Sequence, residues 1–281
     1  MLVSSVDMLK KARHRKYAVP AFNIHNMETL KAVVEAAKEE YSPVILQTTP
    51  GTCEYAGLEY IVAMAKAASD NADIPIALHL DHGNSVDLAI KCIDAGYTSV
   101  MIDGSMLPFE QNISIVQQVV DYAHKNQVQV EAELGRISGV EENLSVDETF
   151  LTSPEEAAEF IIKTGVDSLA VSVGTAHGLY RGTPKIYFER LDKISKLVKI
   201  PLVLHGCSGV PENDIKRAVK LGVSKINIAT DIKIVFAEKL KSFFESNPKV
   251  TDPRKYFKPA LESVKELVKS KIRMTGANNQ V

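Results

Sequence analysis

Apolar and polar positions along this chain fall into a repeating pair: a short β-rich apolar run, then an amphipathic stretch with helical spacing. AVPAFNI (18–24) precedes METLKAVVEAAKEE, with Asn26 placed to cap that helix. PVILQTT (43–49) precedes LEYIVAMAKAAS, and IPIALHLD (74–81) precedes SVDLAIKCIDAG, whose Gly96 suits a helix C-terminus. TSVMIDG (98–104) leads into PFEQNISIVQQVVDYAHKN. VQVEAEL (128–134) is followed by a polar loop and then SPEEAAEFIIKTG, with Ser153 as cap and Pro154 in the first turn. SLAVSVG (168–174), IPLVLHG (200–206) and SKINIAT (224–230) each precede a further helix.

About eight strand–helix units alternate in this way, and the strands read as apolar on both faces, which implies an α/β protein with a buried parallel sheet. Eight units in 281 residues favour a closed (β/α)8 TIM barrel. The alternative, an open doubly wound sheet, lacks a GxGxxG after the first strand. DPRKYFKPALESVKELVKSKIRM reads as an extra C-terminal helix, and no linker divides the chain, so residues 1–281 are expected to form a single barrel domain.

Composition narrows the partners. A formal charge of −2 gives no general pull toward nucleic acid or an acidic membrane surface. No apolar span approaches the roughly 20 residues of a membrane helix. MLVSSVDMLKKARHRKY lacks the basic-then-apolar order of a secretory leader. Cys53, Cys92 and Cys207 are too scattered for a disulfide framework, so a cytoplasmic protein with reduced thiols is expected.

Barrel chemistry sits where strands exit. Here the exits carry Asn23, Thr49, Asp81 and His82, Asp103 and Ser105, Glu131 and Glu133, His205 and Ser208, then Asn227 and Thr230, while His177 lies just past the sixth strand. A lone histidine at such a place is usually a solvated loop residue. Three leaving strands three, six and seven, joined by inward carboxylates, converge on one mouth. Three neutral imidazoles are a standard ligand set for catalytic zinc. His82, His177 and His205 are the predicted ligands, and His79, pointing the same way as Asp81, either supports a ligand from behind or is an alternative ligand. His14 and His124 read as surface or packing residues; His25, after strand one, is left open.

HGCSG (205–209) and NIATD (227–231) follow strands seven and eight, where barrels bind phosphate through backbone N–H groups and a helix N-terminus. GTAHGLYRGTPK adds backbone donors with Arg181 and Lys185. Metal beside phosphate suggests a small phosphorylated substrate. A Schiff-base lysine should project into the mouth. Lys199 and Lys225 read as lying at the start of strands seven and eight, on the opposite face, and Lys163 and Lys233 as helical, so imine chemistry has no candidate.

LHLDHG, EAELGRISGVEE, VSVGTAHGLY, LHGCSGVP and KINIATD, in this order, resemble the class II, zinc-dependent ketose-bisphosphate aldolases, and most closely their tagatose-1,6-bisphosphate type. The likeness runs from Val19 through DPRKY. It implies reversible cleavage of a ketose 1,6-bisphosphate into dihydroxyacetone phosphate and glyceraldehyde 3-phosphate by a lyase with one Zn2+ per subunit. His82, His177 and His205 match the zinc ligands and Asp81 the acid/base at the C4 hydroxyl. Gly178, Gly206, Ser208, Asn227 and Thr230 match positions that hold dihydroxyacetone phosphate, and Asn23 and Thr49 join them at the mouth. The loop acid falls on Glu141, with Glu142 beside it. Glu131, Glu133 and Asp103 match inner carboxylates that orient ligands or receive a displaced metal. Arg254 matches an arginine that reaches the second phosphate from a neighbouring subunit, which implies a homodimer or homotetramer. A monovalent cation (Na+ or K+) near the phosphate is also implied.

Asp81 has an ordinary pKa of about 3.9, low for a base, so the site is expected to raise it. Asn227 is expected to hydrogen-bond the enediolate oxygen. Ala229 stands where many fructose-bisphosphate relatives carry Asp or Asn, which favours tagatose, with a glycolytic fructose-1,6-bisphosphate aldolase as the alternative. More remote rivals are a zinc hydrolase, which has no need of the phosphate segments, and a non-catalytic sugar-phosphate binding protein, which has no need of the acids.

Overall fold

A computed structural model of the chain describes residues 1–136, 150–178, 180 and 184–281. Eight parallel strands close a barrel in sequence order: β1 Val19–Asn23, β2 Val44–Thr48, β3 Ile76–Gly83, β4 Ser99–Ile102, β5 Gln129–Leu134, β6 Ser168–Val171, β7 Leu202–Leu204 and β8 Val223–Ile228, with β8 pairing back onto β1. Around it run α1 Ser5–Arg15, α2 Met27–Glu39, α3 Pro50–Ala56, α4 Leu58–Asp70, α5 Val86–Ala95, α6 Phe109–Lys125, α7 Pro154–Thr164, α8 Phe188–Leu197, α9 Glu212–Lys220, α10 Thr230–Ser246 and α11 Pro253–Thr275.

The local signals work as expected. Asn26 closes a capping box with Thr29, Ser153 caps α7 ahead of Pro154, and Gly96 ends α5 in a left-handed conformation. The short helix α3, between β2 and α4, was not foreseen; Pro50 starts it and Gly57 ends it. The C-terminal helix α11 lies on α2 and α10 and is held by Lys265 and Lys269 against Glu39 and by Arg273 against Glu40. Among the described residues no helix is long and apolar enough to cross a membrane.

The strands are not apolar on both faces. Outward positions such as Phe22, Leu46, Leu78, Val100, Val130, Leu169, Leu204 and Ile226 are buried in the hydrophobic layer beneath the helices. The inward face instead carries Asn23, Gln47, His79, Asp81, Ser99, Gln129, Glu131, Ser168, His205, Lys225 and Asn227, all buried and hydrogen-bonded across the barrel. Barrel interiors are ordinarily packed with branched aliphatics. Here much of the apolar burial that stabilises the fold lies outside the strands, and the lumen mixes polar groups with Ala21, Ile45, Ala77, Met101, Ala170 and Val203. The strand starts are closed from below by α1, where Ser5 bonds Gln129 and Arg13 donates to the carbonyls of Val198 (2.7 Å) and Ser195 (3.2 Å).

Candidate active site

Strand β3 explains the placement of LDHG. Adjacent residues of a strand point to opposite faces, yet Asp81 and His82 both line the cleft at the strand exits. The pairing of β3 with β4 slips between Leu80 and Gly83, and His82 is in the left-handed region at φ 50°. Such a bulge re-aims a side chain; here it turns His82 inward beside Asp81. Gly83 is required just behind it, because a Cβ there would stand 2.3 Å from the Met101 carbonyl oxygen.

His205 leaves β7 and is fully buried. Gly206 next to it has φ 63°, and a Cβ would meet the Ala176 carbonyl oxygen at 2.3 Å. The loops after β6 and β7 therefore cross at backbone distance, which sets His177 beside His205. Tyr180 ties the crossing: its hydroxyl accepts from the Ala176 N–H at 2.7 Å and donates to the Gly206 carbonyl at 2.8 Å. Burial raises this phenol to about 12, so it stays a neutral linker. Sequence reading missed Tyr180; its position between two glycine-bearing loops was the available signal.

The three rings meet. Their centroids are 4.8 Å (His82–His177), 4.7 Å (His82–His205) and 6.0 Å (His177–His205) apart, and one nitrogen from each lies within 4.8 Å of the others. His82 Nδ1 faces Asp103 Oδ2 at 2.7 Å, which leaves Nε2 toward the cleft. His205 Nε2 faces Glu131 Oε1 at 2.9 Å, which leaves Nδ1. Those two remaining nitrogens are 2.9 Å apart. A tetrahedral zinc with Zn–N distances of about 2.0–2.1 Å holds its nitrogens about 3.3 Å apart, so the donors fit such an ion with a few tenths of an ångström of adjustment. A second donor group, His82, Asp103 and Glu133, shares the His82 ring, and among the described residues Glu133 Oε2 is buried with no hydrogen-bond partner. That oxygen lies 3.6 Å from His205 Nδ1, so the carboxylate is a further donor beside the histidines. His79 is no ligand: it is buried below the cleft, with Nδ1 on Ser99 Oγ at 2.7 Å and Nε2 on Lys225 Nζ at 3.2 Å.

Charges follow from this crowding. Burial opposes the His82 cation, but the carboxylates of Asp81, Asp103 and Glu133 outweigh it and bring the ring to about 10. Burial and the neighbouring His82 lower His177 to about 4 and hold His205 well below its ordinary value. Burial, with Asp103 and Glu131 nearby, raises Glu133 to about 8. Asp81 does not rise as expected. Burial pushes it up, but His82, His205, Lys225 and the Asn23 amide hold it below the ordinary carboxylate value. Asn23 Nδ2 and Asn227 Nδ2 donate to its two oxygens at 2.9 Å each.

The cleft holds about 340 Å3 and is also lined by Thr49, Ser105, Gly178, Ser208, Thr230 and Lys233. The N-terminus of α10 opens onto it; the N-cap residue Ala229 has no capping side chain, and Ser208 Oγ accepts from the Asp231 N–H at 3.3 Å. Lys233, read as merely helical, reaches the mouth because it sits in the first turn of α10. Lys225 is not on the opposite face but inside the barrel, one layer beneath Asn227. Arg254 is exposed at the start of α11, paired with Asp252, and does not line this chain's own cleft. Glu141, Glu142 and Arg181 lie outside the described residues. His14 is exposed, His124 pairs with Asp167 at 3.0 Å, and His25 Nδ1 meets Thr52 Oγ1 at 3.0 Å. A larger hollow of about 610 Å3, between the starts of α7 and α8, is lined by Lys185, Arg190, Lys193 and Arg217 but by no histidine.

Known proteins share both chain and fold. The family model described as fructose-bisphosphate aldolase class-II matches residues 3–280. The D-tagatose-1,6-bisphosphate aldolase subunit GatY of Klebsiella oxytoca is 49% identical over 100% of this chain and 99% of its own. Among solved structures, the YdjI aldolase of Escherichia coli K12 superposes with a TM-score of 0.88 at 32% identity, covering 100% of this chain and 99% of that one. The fructose-bisphosphate aldolase Fba of Campylobacter jejuni gives 0.82 at 26% identity, covering 100% and 97%. With His82, His177 and His205 gathered at the strand exits of a closed barrel, the chain belongs to the class II fructose-bisphosphate aldolase family and is a lyase of that type.

Proposed function

We propose that the chain reversibly cleaves tagatose 1,6-bisphosphate into dihydroxyacetone phosphate and glyceraldehyde 3-phosphate, with zinc held by His82, His177 and His205. The observation that carries this reading is the convergence of three imidazole nitrogens on a cleft that the Asp81 carboxyl group and the start of α10 also line. When bound, the metal supplies Lewis-acid stabilisation of the negative charge that develops as the C3–C4 bond breaks.

The protein groups do the rest. The C1 phosphate is seated by backbone N–H groups around Gly178, Gly206, Ser208 and Thr230, where the α10 dipole favours an anion. Asp81 accepts the C4 hydroxyl proton as glyceraldehyde 3-phosphate departs. Its depressed pKa keeps it ionised and ready at neutral pH. Asn227 turns its amide toward the developing enediolate oxygen, and Asn23, on the neighbouring strand, and Thr49 also line the cleft. Asp103 and Glu131 fix the tautomers of His82 and His205. Glu141 remains the residue assigned to protonate C3. Arg254, being exposed and off its own cleft, suits delivery to the second phosphate of a neighbouring subunit in a homo-oligomer. A monovalent cation, Na+ or K+, completes the phosphate site. Three free buried thiols accord with a cytoplasmic enzyme.

The sugar assignment rests on Ala229 and on the tagatose-bisphosphate relative. Side-by-side kcat/KM for tagatose and fructose 1,6-bisphosphates tests it. Preference for tagatose is expected; preference for fructose reassigns the substrate, and cleavage of neither by the zinc-loaded protein rejects the reading.

A further inference from the structure

Five polar side chains form an unbroken line beneath the histidines. Ser99 Oγ meets His79 Nδ1 at 2.7 Å, His79 Nε2 meets Lys225 Nζ at 3.2 Å, and Lys225 Nζ donates to Glu131 Oε2 at 2.8 Å. Glu131 Oε1 then meets His205 Nε2 at 2.9 Å. Every member is at most 2% exposed, and the members come from β3, β4, β5, β7 and β8.

Donor chemistry gives the line a direction. An ammonium has only donors, so His79 Nε2 must accept from Lys225 and its Nδ1–H must donate to Ser99. A carboxylate has only acceptors, so Glu131 takes one hydrogen bond from Lys225 and the other from His205 Nε2–H. His205 is thereby fixed as the Nε2–H tautomer, with Nδ1 free on the side of His82 and His177. Lysine is almost never fully buried unless paired, and this one is paired with the carboxylate that orients His205.

We propose that Lys225 is a positioning residue for the metal centre: through Glu131 it locks the ring orientation and tautomer of His205. This rests on the zinc reading above. Lys225 touches neither metal nor substrate in this role. A buried carboxylate without its counter-charge is costly, and its surroundings would rearrange to relieve it. The hydrogen bond to His205 would lose its fixed acceptor, leaving the ring free to turn. Groups of this kind, one step behind a ligand, typically cost 10–100-fold in metal affinity when removed.

The test is zinc affinity by competition with a chromophoric chelator, together with the visible spectrum of the cobalt-substituted protein, in the full chain. Lys225→Met should weaken zinc binding by about 10–100-fold and alter the cobalt bands. Glu131→Gln should do likewise, since it strands Lys225. The double variant should recover most of the loss, because a neutral glutamine oxygen can still accept from His205 with no charge left unpaired. A Lys225→Met protein with lowered thermal stability but wild-type zinc affinity and cobalt spectrum would reduce Lys225 to a structural ion pair and overturn the proposal. Should Lys225→Met fail to fold, the comparison is double variant against Glu131→Gln. Tighter zinc binding by the double supports the coupling, and equal or weaker binding overturns it. Wild-type protein whose zinc binding is indifferent to His177→Ala would instead sink the metal assignment itself.

Discussion

Asp81→Asn is the sharpest perturbation of the proposed chemistry. Asp81 is 4% exposed, and two amides, Asn23 Nδ2 and Asn227 Nδ2, donate to it at 2.9 Å. Alanine would orphan both donors at about 1–3 kcal/mol each, and lost activity could then be blamed on a damaged site. Asparagine keeps the volume and one acceptor oxygen for Asn23. Its new amide would face the Asn227 amide, but Asn227 Oδ1 is buried without a partner. A flip of Asn227 therefore restores the second hydrogen bond. The expected stability cost at pH 7 is about 1 kcal/mol, because both hydrogen bonds survive but lose the charge that strengthens them.

Loss of a general base is expected to lower kcat by about 10²–10⁴, or about 3–5 kcal/mol of barrier. The sign of the pH effect is fixed as well. The Asp81 pKa is depressed in the folded protein, so its charge contributes stability above its ordinary pKa, and that stability is lost as pH falls through the folded value. Wild type and Asp81→Asn should converge in stability under acid. Zinc content, denaturant unfolding and steady-state cleavage are the measurements. Exchange with solvent of the hydroxymethyl proton of dihydroxyacetone phosphate, on the carbon that was C3 of the ketose, separates Asp81 from Asn227. That half-reaction needs enediolate support but no proton transfer at C4, so it should survive. If exchange is lost with cleavage, the flipped Asn227 is at fault. A zinc-replete variant cleaving within about tenfold of wild type, about 1.4 kcal/mol, removes Asp81 from the base role.

Two further outcomes bear on the metal and on the lysines. EDTA should abolish cleavage and zinc or cobalt restore it. The protein's own groups set His82 at about 10, so an incoming dication must displace a proton near neutrality. Calorimetry in buffers of different ionisation enthalpy should detect that proton, and apparent affinity should rise by up to about tenfold per pH unit between about 7 and 9. For the chelated protein the sign reverses: the raised His82 pKa stabilises the fold below its ordinary value, and the effect fades as pH climbs toward 10. Affinity flat across that range contradicts the proposed ligand. Borohydride with substrate should leave the protein unmodified, because Lys225 is locked on Glu131 out of reach of the cleft. An adduct on Lys233, which does reach the mouth, would replace the metal mechanism with an imine.

The parts of the fold legible in the sequence are those set by local chemistry. Asn26, Ser153 and Gly96 act within one turn of themselves, and their helices end where those residues demand. Convergence of the three histidines was legible for a different reason: once the topology is a parallel barrel, all strand exits share one rim. What did not follow was anything set by pairing between strands. Plain alternation would send His82 away from Asp81, and only the slip against β4 brings both inward. The direction of the Asp81 shift is set against burial by the adjacent His82, turned inward by that slip, and then by His205, Lys225 and Asn23, which only the closed barrel brings close.

Lys225 shows how much an alternation argument holds when applied fully. Asn227 was placed at the mouth, so the residue two positions earlier must share its face, one layer deeper. Lys225 therefore belongs to the buried middle of β8 and not to the far rim. The same step applied to Asp81 puts His79 under the cleft, and applied to Glu133 it puts Glu131 there. Those are the partners Lys225 meets. A lumen polar at this depth is costly unless every group is satisfied. Its hydrogen bonds end on a histidine whose other nitrogen faces the cleft, so the charged layer that weakens the barrel as a core gives it rigidity as the support of a metal centre.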